Sequence, residues 1–417
     1  MTTPAASPAP TAESGRGSTT KMVGFALLVV GGIMTAIAYG DEASRQRLGF
    51  SYLIGFVTCW AIVLGSLFFV ALQHVTKSVW SVTMRRVAEM LTSPMWLIAL
   101  FFLPLLAFAL GNKDLGIFAW LRPDDAHAAH HPNTHLLDMK TPYLNEGFFY
   151  VRTAIFFALW IGFAFFFVKG STKQDGAAPG TTSSSTMQKV SGPFMVIFAF
   201  TLTFASFDWL MALRVDWFST IYGVYVFSGV VLSGLAAITI AMMGMRAKGY
   251  IPKDLLRSDH LYSMGAMLFA FTCFWGYIAV SQFMLIWYAN IPEETTYYVD
   301  RIQNGWLPVT WAVVILRFVI PFLLLLGRPS KMNPTRLVLV AVLVLVGQVL
   351  DTYWLVIPES PAADGHGLAG PCMAWFDLAP LLLIGGALIA YTGFWMAKNK
   401  NVASGDPLFE QSKNFHL

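Results

Sequence analysis

The chain has 417 residues, of which 56% are hydrophobic and only 12% are charged, with a mean hydropathy of +0.60. Typical soluble domains carry about 25% charged residues, so this composition excludes an ordinary soluble protein and indicates a polytopic membrane protein. The net charge is only +4 and is spread along the chain, which excludes nucleic acid as an expected partner.

The cysteines and histidines do not form a recognisable cofactor motif. Cys59 and Cys273 lie in apolar runs and Cys372 lies in a loop, without a CxxC pair, so disulfide, zinc and iron–sulfur frameworks are not expected. No CxxCH motif is present for c-type haem. Only His74 and His260 lie near apolar segments, both at their ends, whereas a membrane b-type haem needs two facing histidines. We expect no metal and no redox cofactor on this chain.

Ten apolar segments follow a tail of residues 1–20 that is rich in Pro, Ala, Ser and Thr and is predicted to be disordered. Each is near the ~20 residues that a helix needs to cross a bilayer. They cover residues 22–39, 50–72, 94–110, 147–168, 193–213, 220–245, 261–288, 306–326, 336–356 and 376–397. The sequence therefore predicts an all-α fold with ten transmembrane helices.

The basic residues predict the orientation of these helices. If the N-terminus is inside, 18 Lys and Arg residues fall on the cytoplasmic side and 7 on the other side. Cytoplasmic loops attract such an excess. Both termini, including the tail 398–417, are therefore predicted to be cytoplasmic.

Two connecting segments on the cytoplasmic side have distinct compositions. Residues 170–192 are rich in Gly, Ser and Thr and predict a flexible linker. Residues 73–93 carry Lys77, Arg85, Arg86 and Glu89 among apolar residues, which favours a segment lying along the membrane surface.

The outer segment 111–146 is rich in histidine. Pro132 interrupts any helical histidine spacing, so a closed set of metal ligands is not predicted. A solvated loop that contacts a partner is the favoured interpretation. The residues concerned are Asp124, Asp125, His127, His130, His131 and His135.

Two acids inside apolar segments are central to the functional interpretation. The fifth segment ends in SFDWLMAL and the ninth in VLDTYWLVIP, which place Asp208 and Asp351 fifteen residues beyond their predicted cytoplasmic starts. This is ~22 Å into a ~30 Å core. Such acids are costly and commonly face protein or water with a functional role, or else they pair with an Arg and hold a hairpin closed. The match also suggests a parallel repeat of four helices.

The predicted topology sorts the other polar residues by depth. An outer layer and a cytoplasmic layer with an apolar region between them would suit proton movement, or a quinone head group near one surface. In the simpler alternative, Arg152 pairs with an Asp and the tyrosines belong to the interfacial belt. The proton-path candidates are Asp208, Asp351, Arg317, Arg152, His74, His260 and Asp259, and the quinone-binding candidates are Tyr222, Tyr225, Gln282, Gln348 and Asp377.

Two stretches resemble a known family. SFDWLMALRVDWFSTIYGVYVFSG (206–229) and HLYSMGAMLFAFTCFWGYIAVSQFMLIWYANIPEETTYY (260–298) are similar to the ActF subunits of bacterial alternative complex III, which belong to the NrfD/PsrC group of ten-helix membrane subunits. That complex is a quinol:cytochrome c, or quinol:oxidase, oxidoreductase of the respiratory chain.

The resemblance implies an architecture, a location and partners. It implies two four-helix bundles, 50–213 and 220–356, with helices 22–39 and 376–397 outside them, in the bacterial inner membrane. The implied partners are an NrfD-like companion subunit, an iron–sulfur subunit, multihaem and monohaem c-type cytochromes, small membrane subunits, lipid and a terminal oxidase. Haem c and iron–sulfur clusters would lie in those partners. This chain would carry no redox centre and would serve proton conduction or support, while the quinol site near the iron–sulfur subunit would belong to the NrfD-like companion. Quinone or quinol stays an open alternative as a ligand of this chain.

Two other functions remain open from the sequence. Ten spans, a repeat and buried charges also fit a stand-alone ion or solute transporter, since some transporters contain parallel repeats. A structural subunit of the complex, in which every buried charge is paired and static, is the third alternative.

Overall fold

A computed structural model describes residues 17–111, 117–121, 139–176, 183–360 and 370–417. These residues fold into helices, and the described part of the chain contains no β-strand. Residues 1–16 of the predicted tail and the histidine-rich residues 122–138 lie outside the described residues.

The helices are named in chain order. The α-helices are α1 (Ser18–Gly40), α2 (Glu42–Val75), α3 (Val82–Thr92), α4 (Met95–Gly111), α5 (Glu146–Gln174), α6 (Ser183–Trp209), α7 (Tyr222–Ala247), α8 (Ser258–Ala289), α9 (Pro292–Asp300), α10 (Leu307–Val314), α11 (Ile320–Leu325), α12 (Arg328–Met332), α13 (Pro334–Val356), α14 (Ala379–Lys398) and α15 (Phe409–Lys413). A π-helical turn, Ile315–Val319, joins α10 to α11. Short 3₁₀ turns cover Ala119–Leu121, Met211–Leu213, Lys253–Leu255, Ile357–Glu359 and Trp375–Asp377.

All ten predicted spans are confirmed as helices long and apolar enough to cross a membrane. The third runs over Val82–Ala107 and the eighth over Leu307–Leu325. The protein is thus an all-α, multi-pass membrane protein. Successive spans alternate in direction. We call the side of the protein where α14 ends "the C-terminal face". The other side, where α5 and α7 begin, is called "the opposite face".

The spans pack as two four-helix bundles and one peripheral pair. In the first bundle α2, α4, α5 and α6 contact one another, and in the second α7, α8, α10–α11 and α13 do so. The bundles meet where α2 packs against α7, because Gly65 and Gly234 let the two backbones touch: a Cβ on Gly65 would lie 2.1 Å from the Val230 carbonyl oxygen. Helices α1 and α14 pair with each other and lie against α2.

Aromatic rings fill the interior of the first bundle. The buried Trp60, Trp160 and Trp209 contact one another with ring centroids 5.4–5.9 Å apart. Phe102 lies 4.7 Å from the Trp209 ring. Each such pair contributes about 0.5–1.5 kcal/mol beyond area burial, and the interlocked rings leave little space for water.

The interpretation of residues 73–93 as a surface segment is wrong for α3. Its charged residues Arg85, Arg86 and Glu89 are 0–3% exposed. Arg85 forms ion pairs with Glu89 and with Asp406 of the C-terminal segment, while Arg86 binds Asp175 at 2.8 Å. Glu89 lies in the same helix, whereas Asp406 and Asp175 lie far away in sequence, so the charges are neutralised inside the protein rather than in water.

The predicted flexible linker 170–192 is shorter than its composition suggests. Helix α5 continues to Gln174 and α6 begins at Ser183, so both helices extend into it. The Gln174 amide nitrogen donates to the Ser184 hydroxyl at 2.6 Å, which gives the polar ends of these helices partners within the protein. Residues 177–182 lie outside the described residues.

Candidate functional site

The first of the two predicted acids forms a closed ion pair. Arg152 of α5 donates from Nε and Nη2 to the two carboxylate oxygens of Asp208 on α6, both at 2.9 Å. Its remaining terminal nitrogen donates to the Tyr143 carbonyl oxygen at 2.8 Å. Arg152 and Asp208 are 6% and 0% exposed. This bidentate arrangement satisfies both partners in one geometry.

Rings enclose the Arg152 guanidinium. It lies 3.9 Å from the centroid of the Tyr143 ring and 4.2 Å from that of Phe148. Trp209, next to the acid, belongs to the aromatic interior of the first bundle. The pair is therefore held among aromatic groups, as the simpler alternative for Arg152 predicts.

The second acid has a more open set of partners. Asp351 of α13 accepts a hydrogen bond of 2.5 Å from the Tyr225 hydroxyl of α7 through one carboxylate oxygen. The other oxygen accepts from Nη1 of Arg317 on the π-helical turn. The Arg317 guanidinium also lies 4.7 Å from the centroid of the Trp275 ring. Three different spans thus meet at one buried carboxylate.

The local backbone is built around Arg317. The π-helical turn Ile315–Val319 interrupts the eighth span, and such turns frequently occur at functional sites. On α13, Gly347 makes space for the arginine stem, since a Cβ there would lie 2.5 Å from Arg317 Cγ. Arg317 is 0% exposed, and its Nε and Nη2 atoms have no hydrogen-bond partner among the described residues. Unpaired buried donors are costly, which indicates that this side chain has further polar contacts to make.

A chain of polar side chains extends from this site toward the C-terminal face. The Ser233 hydroxyl donates to Gln348 Oε1 at 2.9 Å, and Gln348 Nε2 donates to the Thr352 hydroxyl at 3.0 Å. All three are buried. A Cβ on Gly229 would lie 3.2 Å from Arg317 Nη2 and 3.3 Å from Gln348 Oε1. The Arg317 and Gln348 side chains therefore both pack against this glycine.

A second polar cluster lies at the opposite face above this site. The guanidinium of the buried Arg301 donates to the Trp354 and Leu355 carbonyl oxygens and binds Glu359 at 2.9 Å. Arg214 lies near the same acid and binds Asp300 at 2.6 Å. The residues were not singled out from the sequence because their partners come from three separate connections.

Electrostatics favour the charged form of Arg214. Burial disfavours the charge of Arg214, but the nearby Glu359, Asp300 and Asp216 carboxylates outweigh that effect and raise its pKa. The two carboxylates that bind Arg214 most directly, Asp300 and Asp216, are 25% and 24% exposed. The cluster therefore connects buried arginines with solvent-accessible acids.

At the C-terminal face, His74 borders a polar cavity of about 260 Å³. The ring stacks on Phe167 at 5.6 Å, is 3% exposed, and its Nε2 atom has no partner among the described residues. Lys77 and Arg85 line the same cavity, and Asp406 covers it from the C-terminal segment.

The other two candidates on this face fasten the C-terminal segment. His260 accepts from the Arg257 backbone N–H at Nδ1 and donates from Nε2 to the Ser412 carbonyl oxygen at 2.9 Å. Asp259 lies 3.5 Å from a ring nitrogen of His416. Their observed contacts are with this segment rather than with the cavity beside His74.

The quinone-binding candidates do not form one cluster. Tyr225 and Gln348 lie with Arg317 and Asp351, as described above. Tyr222 packs against Trp217 at 5.8 Å, and Gln282 is buried on α8 two turns beyond Trp275. Asp377 lies elsewhere: it accepts from Arg47 and from the Ser51 hydroxyl, both at 2.6 Å.

Comparison with known proteins adds no further assignment. No family model matches the chain, and no curated protein matches it. The candidate site therefore rests on the geometry of the second bundle: Asp351, Arg317, Tyr225 and Gln348 with the cluster above them.

Proposed function

We propose that this chain is a membrane subunit of a respiratory quinol:cytochrome c, or quinol:oxidase, oxidoreductase of the alternative complex III type. In this role it carries no redox centre of its own and contributes a proton pathway. The resemblance of residues 206–229 and 260–298 to ActF subunits, together with ten membrane-spanning helices, supports this proposal.

One observation carries the proton role: the buried network in which Asp351 is shared between Tyr225 and Arg317. Ionisable groups within a span are costly and are commonly retained where ions or protons move. A carboxylate that has both a hydroxyl donor and a cation can accept a proton when the arginine turns to other partners. The unpaired Arg317 nitrogens provide for such a change.

The pathway would run along the second bundle. Gln348 and Ser233 lie on the side of Asp351 toward the C-terminal face, while Arg301 and Glu359 lie toward the opposite face. His74 and its polar cavity would admit protons at the C-terminal face. Relay residues of this kind need only hydrogen bonds that can exchange donors and acceptors.

The orientation and partners belong to the same proposal. The excess of Lys and Arg supports a cytoplasmic location for both termini, and the C-terminal face would then be cytoplasmic. The bacterial inner membrane is what the resemblance to ActF subunits implies. The partners would be an NrfD-like companion, an iron–sulfur subunit, multihaem and monohaem c-type cytochromes, small membrane subunits and a terminal oxidase.

Purification from native membranes tests the assignment to a complex. We expect the chain to co-purify with haem c and iron–sulfur absorbance and with quinol oxidation activity. A colourless single chain would contradict the proposal. The proton role is tested in the assembled complex by D351N, which should reduce proton release, with D208N as the matched control that should not.

A stand-alone ion transporter is the second candidate function. The π-helical interruption of the eighth span beside the buried Arg317 favours it, because transporters commonly place broken helices around a midplane site. Ion uptake by the purified single chain in vesicles, lost in R317L, would support this alternative.

A further inference from the structure

A cavity of about 310 Å³ lies in the second bundle, near the opposite face. It is bordered by α8, by α10 and by the connection that precedes α10, and it reaches inward to Tyr225 of α7. Ligand sites in proteins commonly measure ~300–1,000 Å³, so this space is large enough for one ring system.

The cavity lies beside the lateral surface of the bundle. Val280 of α8 and Trp311 of α10 line it and are 59% and 58% exposed. Both belong to spans, so their exposed sides lie on the lateral surface of the bundle within the membrane-spanning region. A molecule dissolved in the bilayer could therefore enter between α8 and α10 without crossing water.

The inner wall is formed by Tyr225 and Trp275, directly in front of the ion pair. The Tyr225 hydroxyl donates to Asp351 at 2.5 Å, and the Arg317 guanidinium lies 4.7 Å from the centroid of the Trp275 ring. A tyrosine oxygen that donates to a carboxylate can still accept a hydrogen bond from a ligand hydroxyl. The inner wall of this largely apolar cavity thus includes one hydroxyl oxygen that is adjacent to a proton acceptor.

Two other polar residues at the cavity, Thr310 and Arg301, are already paired. The Thr310 hydroxyl donates to the Arg301 carbonyl oxygen and accepts from the Trp354 indole, both at 2.8 Å. The Arg301 charge is balanced by Glu359. Because no buried charge is left uncompensated at these two residues, the site favours a neutral ligand over an ion.

We propose that this cavity binds the ring of an isoprenoid quinol, whose hydroxyl donates to the Tyr225 oxygen, and also takes the quinone formed from it, with the tail leaving between α8 and α10. This inference rests on the proposed function. It fits a neutral, flat, membrane-dissolved molecule with polar ring oxygens, since aromatic residues form much of the wall. A lipid acyl chain could fill the space but has no donor for the Tyr225 oxygen.

Photolabelling of the intact complex in native lipid tests the inference. The probe is a short-chain quinone with an azido group on its ring, and labelled peptides are mapped by mass spectrometry. We expect label on α8 and α10, displaced by unlabelled quinone. A279F, which places a ring in the cavity, should reduce this labelling about tenfold or more, equivalent to ~1.4 kcal/mol of binding.

A199F is the matched control, because Ala199 is an exposed alanine on α6 in the first bundle. It should leave labelling unchanged. Equal labelling of A279F and the unmodified complex would overturn the inference. Labelling of these helices by a phospholipid with a photoreactive acyl chain, but not by the quinone, would also overturn it in favour of a lipid site.

The outcomes separate this inference from the proposed function. If the complex assembles and oxidises quinol while α8 and α10 stay unlabelled, only the quinone site in this chain is wrong. If the chain purifies alone, without haem c, yet the quinone labels it and A279F abolishes the label, the site stands and the assignment to the complex fails.

Discussion

Each bundle buries one Arg–Asp pair between its third and fourth spans, yet the two pairs differ in geometry. Arg152 donates hydrogen bonds to both carboxylate oxygens of Asp208. Arg317 donates to one oxygen of Asp351 through a single nitrogen, and Tyr225 donates to the other oxygen. The first pair lies among aromatic rings and the second beside a cavity wall and a π-helical turn. The corresponding positions support the predicted parallel repeat.

The comparison shows that burial of an acid in a span does not by itself indicate a proton relay. A bidentate ion pair in which every polar atom has a partner holds two helices together. A carboxylate that is bonded to two different residues, next to an arginine with unpaired nitrogens, can change its hydrogen bonds. We therefore assign a fastening role to Arg152–Asp208 and retain the relay role for Arg317–Asp351.

The largest effect is expected when one member of the first pair is removed. D208L leaves the Arg152 charge buried without its carboxylate, and this should lower the free energy of unfolding by about 3–5 kcal/mol. Thermal unfolding of the detergent-purified protein would measure the loss. The double variant R152L/D208L should recover much of it, because buried ion pairs can be replaced by apolar residues. Equal instability of single and double variants would contradict a fastening role.

In the second bundle the main effect should be on function. D351N keeps the shape of the side chain and an acceptor for Arg317 but cannot take up a proton. Proton release by the assembled complex should fall on the order of 100-fold, as for loss of a proton-transfer group. D208N weakens the pair with Arg152 and should lower the stability of the protein, but proton release per assembled complex should stay near that of the unmodified complex. Equal losses in both variants would remove the distinction between the pairs.

The glycine that accommodates Arg317 offers a third test. G347A would place a methyl group 2.5 Å from Arg317 Cγ, so the arginine must move. Overpacking of this kind costs about 1–3 kcal/mol, measured as a drop in unfolding free energy together with reduced proton release. G162A is the matched helical control, since a Cβ there meets nothing within 4 Å and should not destabilise the protein. A neutral G347A would contradict the tight packing around Arg317.

The smallest effect is expected for Y225F, which removes only the hydroxyl that donates to Asp351. Loss of this hydrogen bond to a charged group should lower the free energy of unfolding by about 1.5–3 kcal/mol at most. The decrease is smaller where water takes the place of the hydroxyl. Proton release should slow while the complex remains assembled. Y150F, which removes a hydroxyl bonded to Glu146 near the surface, is the control and should be silent.

Hydropathy was sufficient to predict the ten spans, because a helix that crosses hydrocarbon must satisfy its own backbone and present about 20 apolar residues. The location of both acids near the ends of their spans was likewise readable, since Asp208 shortly precedes the end of the fifth span and Asp351 that of the ninth. In the same way, Gly, Ser and Thr content indicated a linker at 170–192, although tertiary contacts extend helices into both of its ends.

The choice of partners was decided by the tertiary structure. Periodicity predicts which face of a helix is buried but not which neighbouring helix packs against it. The bidentate contact of Arg152 with Asp208, and the contacts of Asp351 with both Tyr225 and Arg317, could therefore not be predicted. The same holds for the burial of Arg85 and Arg86 in α3. Hydrocarbon, acting on each segment alone, determines where the chain crosses the membrane. Short-range hydrogen bonds between segments distant in sequence determine which buried charges are fixed and which can exchange a proton.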